Sequence, residues 1–359
     1  MKKKNNQNNE PVQNLVHFDS YEETVIRENN PEKEAIRKAI RKKFAFRKAK
    51  QIISLVSAFA VLVSAFFLGK RGFESYLVFS QEQKEDEYVL PKEVTKELEN
   101  MTEEEAWAYL YEKYPHLLDI VFPVGFDYHY ALYYAENPDT IGYIKIPGTE
   151  VDTPVVQADN NKYYLNHDFY GKYTSYGAIY ATYIANLNPL DRNILLYGHN
   201  MNDGSRFAAI ENYKSIDFFK EHPVIEFNTL FERHKWKVYA VIITNGHVKG
   251  DNGYFFDFTF NNCSDTCFEE YLVEVDKRKL YETGVDILPT DKLITLCTCT
   301  YEFNDARLIV IARMVREGES AEVDVSLAKK KDTPVKYPAA YYSHPSKNPY
   351  KDDAKWYLY

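Results

Sequence analysis

The longest apolar run in the chain, IISLVSAFAVLVSAFFL from Ile52 to Leu68, holds no charged residue and no proline. At about 1.5 Å rise per residue it extends roughly 26 Å, close to the ~30 Å hydrocarbon layer once Lys50, Lys70 and Arg71 snorkel towards the headgroups. The pattern predicts one spanning helix over residues 52–69. Ala58-Phe59-Ala60 looks faintly like a signal-cleavage site, but it lies mid-run, and the ~50 residues before it are long for a secretory leader. Lysines and arginines crowd the stretch from Lys33 to Lys50, whereas the matching window beyond the run holds only Lys70, Arg71 and Lys84. By the positive-inside rule the N-terminus is expected in the cytoplasm and everything after residue 70 outside.

Residues 1–51 are otherwise polar, opening MKKKNNQNNE, and read as a disordered tail with a basic juxtamembrane end. Residues 70–100 form an acidic stalk. Thr102 and Glu105 then fit a capping box ahead of Ala106, Leu110 and Tyr111, which predicts a packed helix. From about Thr140 the apolar period changes. Segments such as IGYIKIPG, YGAIYATY, NILLYGHN, LITLCTC and RLIVIARMV are short β-rich runs between Gly, Pro, Asn and Asp clusters. Seven or eight such strands predict a mainly β domain over 101–317, a sandwich or a closed barrel. One helix is inserted before the penultimate strand, in SDTCFEEYLVEVDKRKLYETG, with Ser264 or Asp265 as cap and Gly284 as stop. After Glu317 the period ends, and residues 318–359, rich in Lys, Pro and Tyr, read as a flexible extension.

Composition sharpens this picture. A net charge of −9 argues against a nucleic-acid footprint, and 31 Tyr with 22 Phe suit half-buried strand faces. Only four cysteines are present, and two of them stand in TLCTC, residues 295–299. Strand alternation places Thr295, Cys297 and Cys299 on one face and turns Ile294 and Leu296 into the core. The stretch Thr300 to Ala306 is of hairpin length, so Arg307 opens a strand that pairs with the first. Cys299 and Arg307 are thus expected side by side at one rim. A guanidinium beside a thiol favours the nucleophilic thiolate, or holds the oxyanion of a tetrahedral intermediate. Acyl transfer by cysteine also needs a proton shuttle. His199 has the strongest context, at the end of the buried run Ile194–Tyr197; His167, His222 and His247 have weaker ones.

TLCTC with Arg307, YGHNM, the stretch NPDTIGYIKIPGTEVDTPVVQADNNKYYLNHDFYGKY and DGSRF together resemble the class B sortases, over about residues 90–317. The resemblance implies a sortase-type closed β-barrel, with Cys299 as nucleophile, His199 as general acid/base and Arg307 as oxyanion stabiliser. It also places Asn161, Leu165, Tyr197 and Cys297 along the substrate groove. Its activity would be cleavage of a C-terminal sorting signal of a secreted protein at a Thr–Xaa bond, in Asn-Pro-x-Thr or a related motif. The acyl group would pass through a Cys thioester to an amine of a cell-wall precursor or a pilin lysine, with no metal or organic cofactor. The expected partners are those peptides, that amine and membrane lipid, with no nucleic acid. The expected location is the cell membrane of a Gram-positive bacterium, single-pass, with the catalytic domain extracellular.

Cys297 departs from the family, which commonly carries serine in TLSTC. It reads as a small near-isostere, or more sharply as a resolving thiol, although same-face strand neighbours are poorly set for an unstrained disulfide. Other readings stay open. Cys263, Cys267, Cys297 and Cys299 could staple a zinc ion, although a one-residue spacing suits tetrahedral ligation badly. Cys263 and Cys267 could form a disulfide, and a barrel without turnover could serve as a membrane-anchored binding module. Papain-like hydrolases place Cys before His, and L,D-transpeptidases carry a Ser-His-Gly-Cys pattern that this chain lacks.

Overall fold

The computed structural model describes Lys38, Lys42, Ala45, Phe46, Ile53, residues 56–76, Glu97, Leu98 and residues 100–358. Expectations for the basic tail and for most of the stalk lie outside the described residues. The chain forms two compact units, residues 1–70 and 71–359. Helix α1, Val56–Tyr76, is long and apolar enough to cross a membrane. It runs past Leu68, where the apolar run stops, because no proline or capping motif interrupts Gly69 to Tyr76.

In the second unit, helix α2 (Glu103–Lys113) starts as its sequence predicts. The Thr102 side chain accepts from the Glu105 N–H at 3.3 Å, and the Glu105 carboxylate accepts from the Thr102 N–H at 2.7 Å. Its apolar face, Ala106 and Leu110, joins Leu117, Phe126, Tyr130 and Tyr133 from the following turns and helix α3 (Ala131–Glu136). That layer lies against Val156 and Tyr180 of the sheet.

Eight strands close the barrel: β1 (Thr140–Lys145), β2 (Asp152–Val156), β3 (Tyr180–Ala181), β4 (Asn193–Tyr197), β5 (Val224–Thr229), β6 (Lys235–Asn245), β8 (Leu293–Cys299) and β9 (Ala306–Met314). Their order is β1-β2-β3-β4-β8-β9-β6-β5; the short β7 (Tyr281–Glu282) stays outside. Strands β1 and β5 alternate buried with half-buried positions, because only one of their faces is covered. Strand β6 is buried at every position after Lys235. Trp236, Val238, Val241 and Ile243 fill the barrel, whereas Tyr239, Ala240 and Ile242 face a second layer. The switch of parity falls at a bulge between Val238 and Ala240, one extra residue that carries the alternation to the other face.

The second layer is helix α5 (Asp265–Arg278), which follows α4 (Ile216–Glu221) in the chain and is capped by Ser264. Its Phe268, Tyr271 and Val275 pack with Phe256, Phe258 and Phe260 over Leu195, Ile242, Ile309 and Ile311. The helix precedes the penultimate barrel strand, as expected, but it ends at Arg278 rather than at Gly284. Lys279 turns extended, and Leu280 N–H donates to Val241 O at 2.9 Å, drawing the chain into β7 before Gly284 makes its left-handed turn.

The C-terminal segment differs from the flexible extension expected of it. Strand β10 (Lys329–Lys330) pairs with β7, Ala328 joins the barrel core, and Trp356 and Leu358 pack against the α5 layer. Ala339 N–H donates to the Asp251 carboxylate at 2.8 Å, and Tyr337 stacks on Tyr341 at 3.7 Å. A strap held by single anchors needs no repeating apolar period, so the sequence carried no signal for it.

Candidate active site

Strand β8 ends at Cys299, and the antiparallel register of β8 with β9 sets Cys299 directly opposite Arg307. Both side chains are half-buried. The adjacency predicted from hairpin length is therefore met. The Arg307 guanidinium donates to Ala306 O at 3.0 Å and lies over Gly246, just beyond β6. A Cβ at residue 246 would stand 2.8 Å from Arg307 Cζ, so only glycine leaves the guanidinium its place.

His199 arrives from far along the chain. Strand β4 runs parallel to β8, with Tyr197 opposite Cys297, so the Gly198-His199 turn leaves the sheet beside the end of β8. Cross-links hold it there: Gly198 N–H donates to Cys297 O at 3.2 Å, Thr298 Oγ1 to Gly198 O at 2.7 Å, and Asn200 Nδ2 to Cys299 O at 2.9 Å. Gly198 is sterically required, since a Cβ would meet the Phe207 ring at 2.8 Å. The half-buried imidazole places Nε2 2.9 Å from Leu165 O. A carbonyl only accepts, so this bond keeps a proton on Nε2 and leaves exchange to Nδ1.

The other three candidate histidines have structural partners. His167 stacks on Tyr163 at 4.1 Å, His222 Nδ1 lies 2.8 Å from Pro147 O, and His247 accepts from Lys249 N–H. Just past Cys299, Lys214 binds Thr300 Oγ1 at 2.5 Å and pairs with Glu211 and Glu302, which pins the start of the β8–β9 connection.

The residues expected along the groove divide. Leu165 is exposed and supplies the carbonyl to His199. Asn161 braces the same loop on β3: its side-chain oxygen accepts from Tyr183 N–H at 2.8 Å, and its carbonyl accepts from Tyr180 Oη at 3.2 Å. Tyr197 stacks on Tyr180 at 5.4 Å, and burial raises both phenols above their ordinary value. Cys297 is 3% exposed and faces the α5 layer among Leu195 and Ile309, not an open groove. Burial pushes its thiol up to about 12, against the pull of the Arg307 charge. Among the described residues no three His, Cys, Asp or Glu side chains group as metal ligands would. Sequence reasoning missed Asn200, Thr298, Gly246 and Tyr180. Asn200 and Thr298 lie inside the YGHNM and TLCTC motifs and Gly246 just precedes a candidate histidine at a strand end, so these three carried a local signal, whereas Tyr180 carried none.

Chemically, the arrangement gathers a half-buried thiol, a guanidinium and an imidazole whose Nε2 is engaged by a backbone carbonyl at one end of β8. A family model described as the sortase domain matches residues 144–315. The chain is 32% identical over 181 residues to Sortase B of Listeria monocytogenes, covering 50% of this chain and 71% of that protein. It is 29% identical over 182 residues to Sortase B of Staphylococcus aureus, covering 50% of this chain and 72% of that one. Among solved structures, it is similar to a Staphylococcus aureus sortase B-substrate complex, at 24% identity and a TM-score of 0.49, covering 58% of this chain and 91% of that one. With that identity to the Listeria protein over most of its length, and with the sortase domain spanning the strands that carry Cys299 and Arg307, the chain belongs to the class B sortases, cysteine transpeptidases built on a closed β-barrel.

Proposed function

We propose that Cys299 is the nucleophile, His199 the proton shuttle and Arg307 the oxyanion-stabilising group of a sorting reaction on secreted surface proteins. The observation that carries this reading is the registration of Cys299 opposite Arg307, with the His199 turn hydrogen-bonded to the same end of β8. The Cys299 thiol passes its proton to His199 as the sulfur attacks the threonine carbonyl of a C-terminal sorting signal. A C–S bond forms as the carbonyl π pair moves to oxygen, where the Arg307 guanidinium stabilises the charge. The C–N bond then breaks, and His199 gives a proton to the leaving amine, producing a thioester. An amine of a wall precursor or of a pilin lysine attacks the thioester and loses a proton to His199; the C–S bond breaks as the new C–N bond forms, and His199 returns that proton to the departing sulfur. Asn161, Leu165 and Tyr197 border the peptide, while Cys297, on the same strand face as Cys299, is buried under the α5 layer.

The domain plan that fits this reaction is a cytoplasmic basic tail (1–51), a membrane span (52–69), a stalk (70–100), an extracellular catalytic domain (101–317) and the C-terminal segment. The apolar helix α1 and the basic bias before it support that orientation.

The test uses the full chain in detergent, with peptides carrying Asn-Pro-x-Thr and related motifs, read by intact-protein mass spectrometry. An acyl adduct on Cys299 is expected. It should vanish in Cys299→Ala and fall about a hundredfold in Arg307→Lys, which loses the planar fork. Undiminished cleavage by Cys299→Ala would end this reading.

A further inference from the structure

Arg206, in DGSRF, is only 5% exposed and has a left-handed backbone, φ 58°. Its Nη2 is buried without a hydrogen-bond partner among the described residues. Burying a guanidinium and holding a non-glycine residue in that conformation are both unfavourable, so something must compensate for them. Part of the compensation is charge, since the buried carboxylate of Asp168 lies within reach of the Arg206 field. The rest is a single directed contact: Nε–H donates to Gly177 O at 2.9 Å.

Gly177 is the seat of the carbonyl that holds His199. A Cβ there would stand 2.8 Å from Leu165 O and 2.5 Å from Tyr164 O, and the next N–H, of Ala178, donates to Tyr164 O at 2.9 Å. Leu165 O lies 2.9 Å from His199 Nε2. The backbone closes the circuit, with Phe207 N–H donating to His199 O at 2.9 Å and Asn200 bridged to Arg206. The ring runs from His199 through Leu165, Gly177 and Arg206 back to His199.

We propose that Arg206 is a positioning residue for His199. Its Nε–H fixes the Gly177 backbone, which fixes the Leu165 carbonyl, which holds the imidazole with its proton on Nε2 and Nδ1 turned to the chemistry. This rests on the reading of His199 as proton shuttle.

Side-chain length supplies the test. Glutamine carries an N–H at the same distance from the backbone as Arg Nε, whereas methionine and lysine place a carbon there, and lysine keeps the charge. All three meet the same left-handed backbone. Thioester formation is followed in the full chain with R206Q, R206M and R206K, with 15N spectra of the His199 ring as an independent readout. R206M and R206K are expected to lose at least about tenfold in kcat with KM changed less than about threefold, because a small misplacement of a reacting group lowers rate rather than binding. In both, the Nε2–H signature of His199 should weaken, while R206Q stays within about threefold of the parent. If R206M does not fold, R206K against R206Q makes the same comparison. Equal behaviour of all three variants, or a loss confined to KM, would overturn the proposal. His199→Ala separates the two levels: retained turnover there removes the reading of His199 itself, whereas an inactive His199→Ala beside a normal R206M removes only the role of Arg206.

Discussion

Residue 246 shows how little space the site leaves. The Arg307 guanidinium occupies the volume a side chain would need, so Gly246→Ala should displace it by a few tenths of an ångström or more. We expect a fall in kcat on the order of ten- to a hundredfold with the melting temperature nearly unchanged, because the displaced group is the end of a flexible side chain. Kinetics paired with thermal melting check this, and an unaltered kcat would mean that the guanidinium works from elsewhere. Cys297 illustrates the opposite case, a reactive atom type made inert by its surroundings. With burial holding its thiol near 12, iodoacetamide at pH 8 should modify Cys299 long before Cys297, and Cys297→Ala should keep thioester formation within about threefold. Peptide mapping of the alkylated chain reads the order, and early labelling of Cys297 would revive its role as a resolving thiol.

At the scale of elements, the helical layer is clasped to the barrel by an ion pair. Asp127, which caps the turn at Tyr128–Tyr130, is hydrogen-bonded to the His129 imidazole Nδ1 at 2.7 Å, and accepts from Arg233 Nε at 2.7 Å and Nη2 at 3.1 Å and from His129 N–H at 3.0 Å. Burial alone would raise the Asp127 carboxyl, but those hydrogen bonds outweigh it and hold the group well below the usual carboxylate range. A depressed folded value means that the carboxylate stabilises the fold fully above the unfolded pKa of about 3.9 and loses that contribution as pH falls further. Melting temperature should therefore drop below about pH 4. Asp127→Asn should flatten that limb and cost on the order of 1 kcal/mol at neutral pH, moderated by the solvent around Arg233. A pH series of thermal melts on both proteins decides it, and parallel curves would exclude Asp127 as the acid-sensitive group. At this scale the sequence was readable where a rule is local, as in the Thr102–Glu105 box. It was silent on the β6 bulge, which follows from fitting Trp236 and Ile243 into one interior across a twisted strand.

For the whole molecule, the C-terminal segment is part of the fold. Its removal after Glu317 would uncover the β7 edge and the surfaces now beneath Ala328, Trp356 and Leu358. At about 25 cal/mol per Å² of apolar surface, that loss is of order 2–4 kcal/mol, or several degrees in melting temperature. Calorimetry of the full and shortened chains gives the answer, and equal melting temperatures would restore the picture of a free extension.

By itself the sequence determined what short-range physics controls: an apolar helix of membrane length, strands of period two, helix starts set by side-chain caps, and Cys299 beside Arg307, because a hairpin-length connection leaves those residues little choice. Tertiary structure alone decided the rest. His199 stands one hundred residues before Cys299, and its turn is brought to the same end of β8 by a parallel β4–β8 pairing that no local pattern encodes. The ring through Leu165, Gly177 and Arg206, the burial of Cys297 under α5 and the docking of the C-terminal strap arise in the same way. Such contacts are selected by packing summed over the entire chain, and their partners become neighbours only after the barrel has closed.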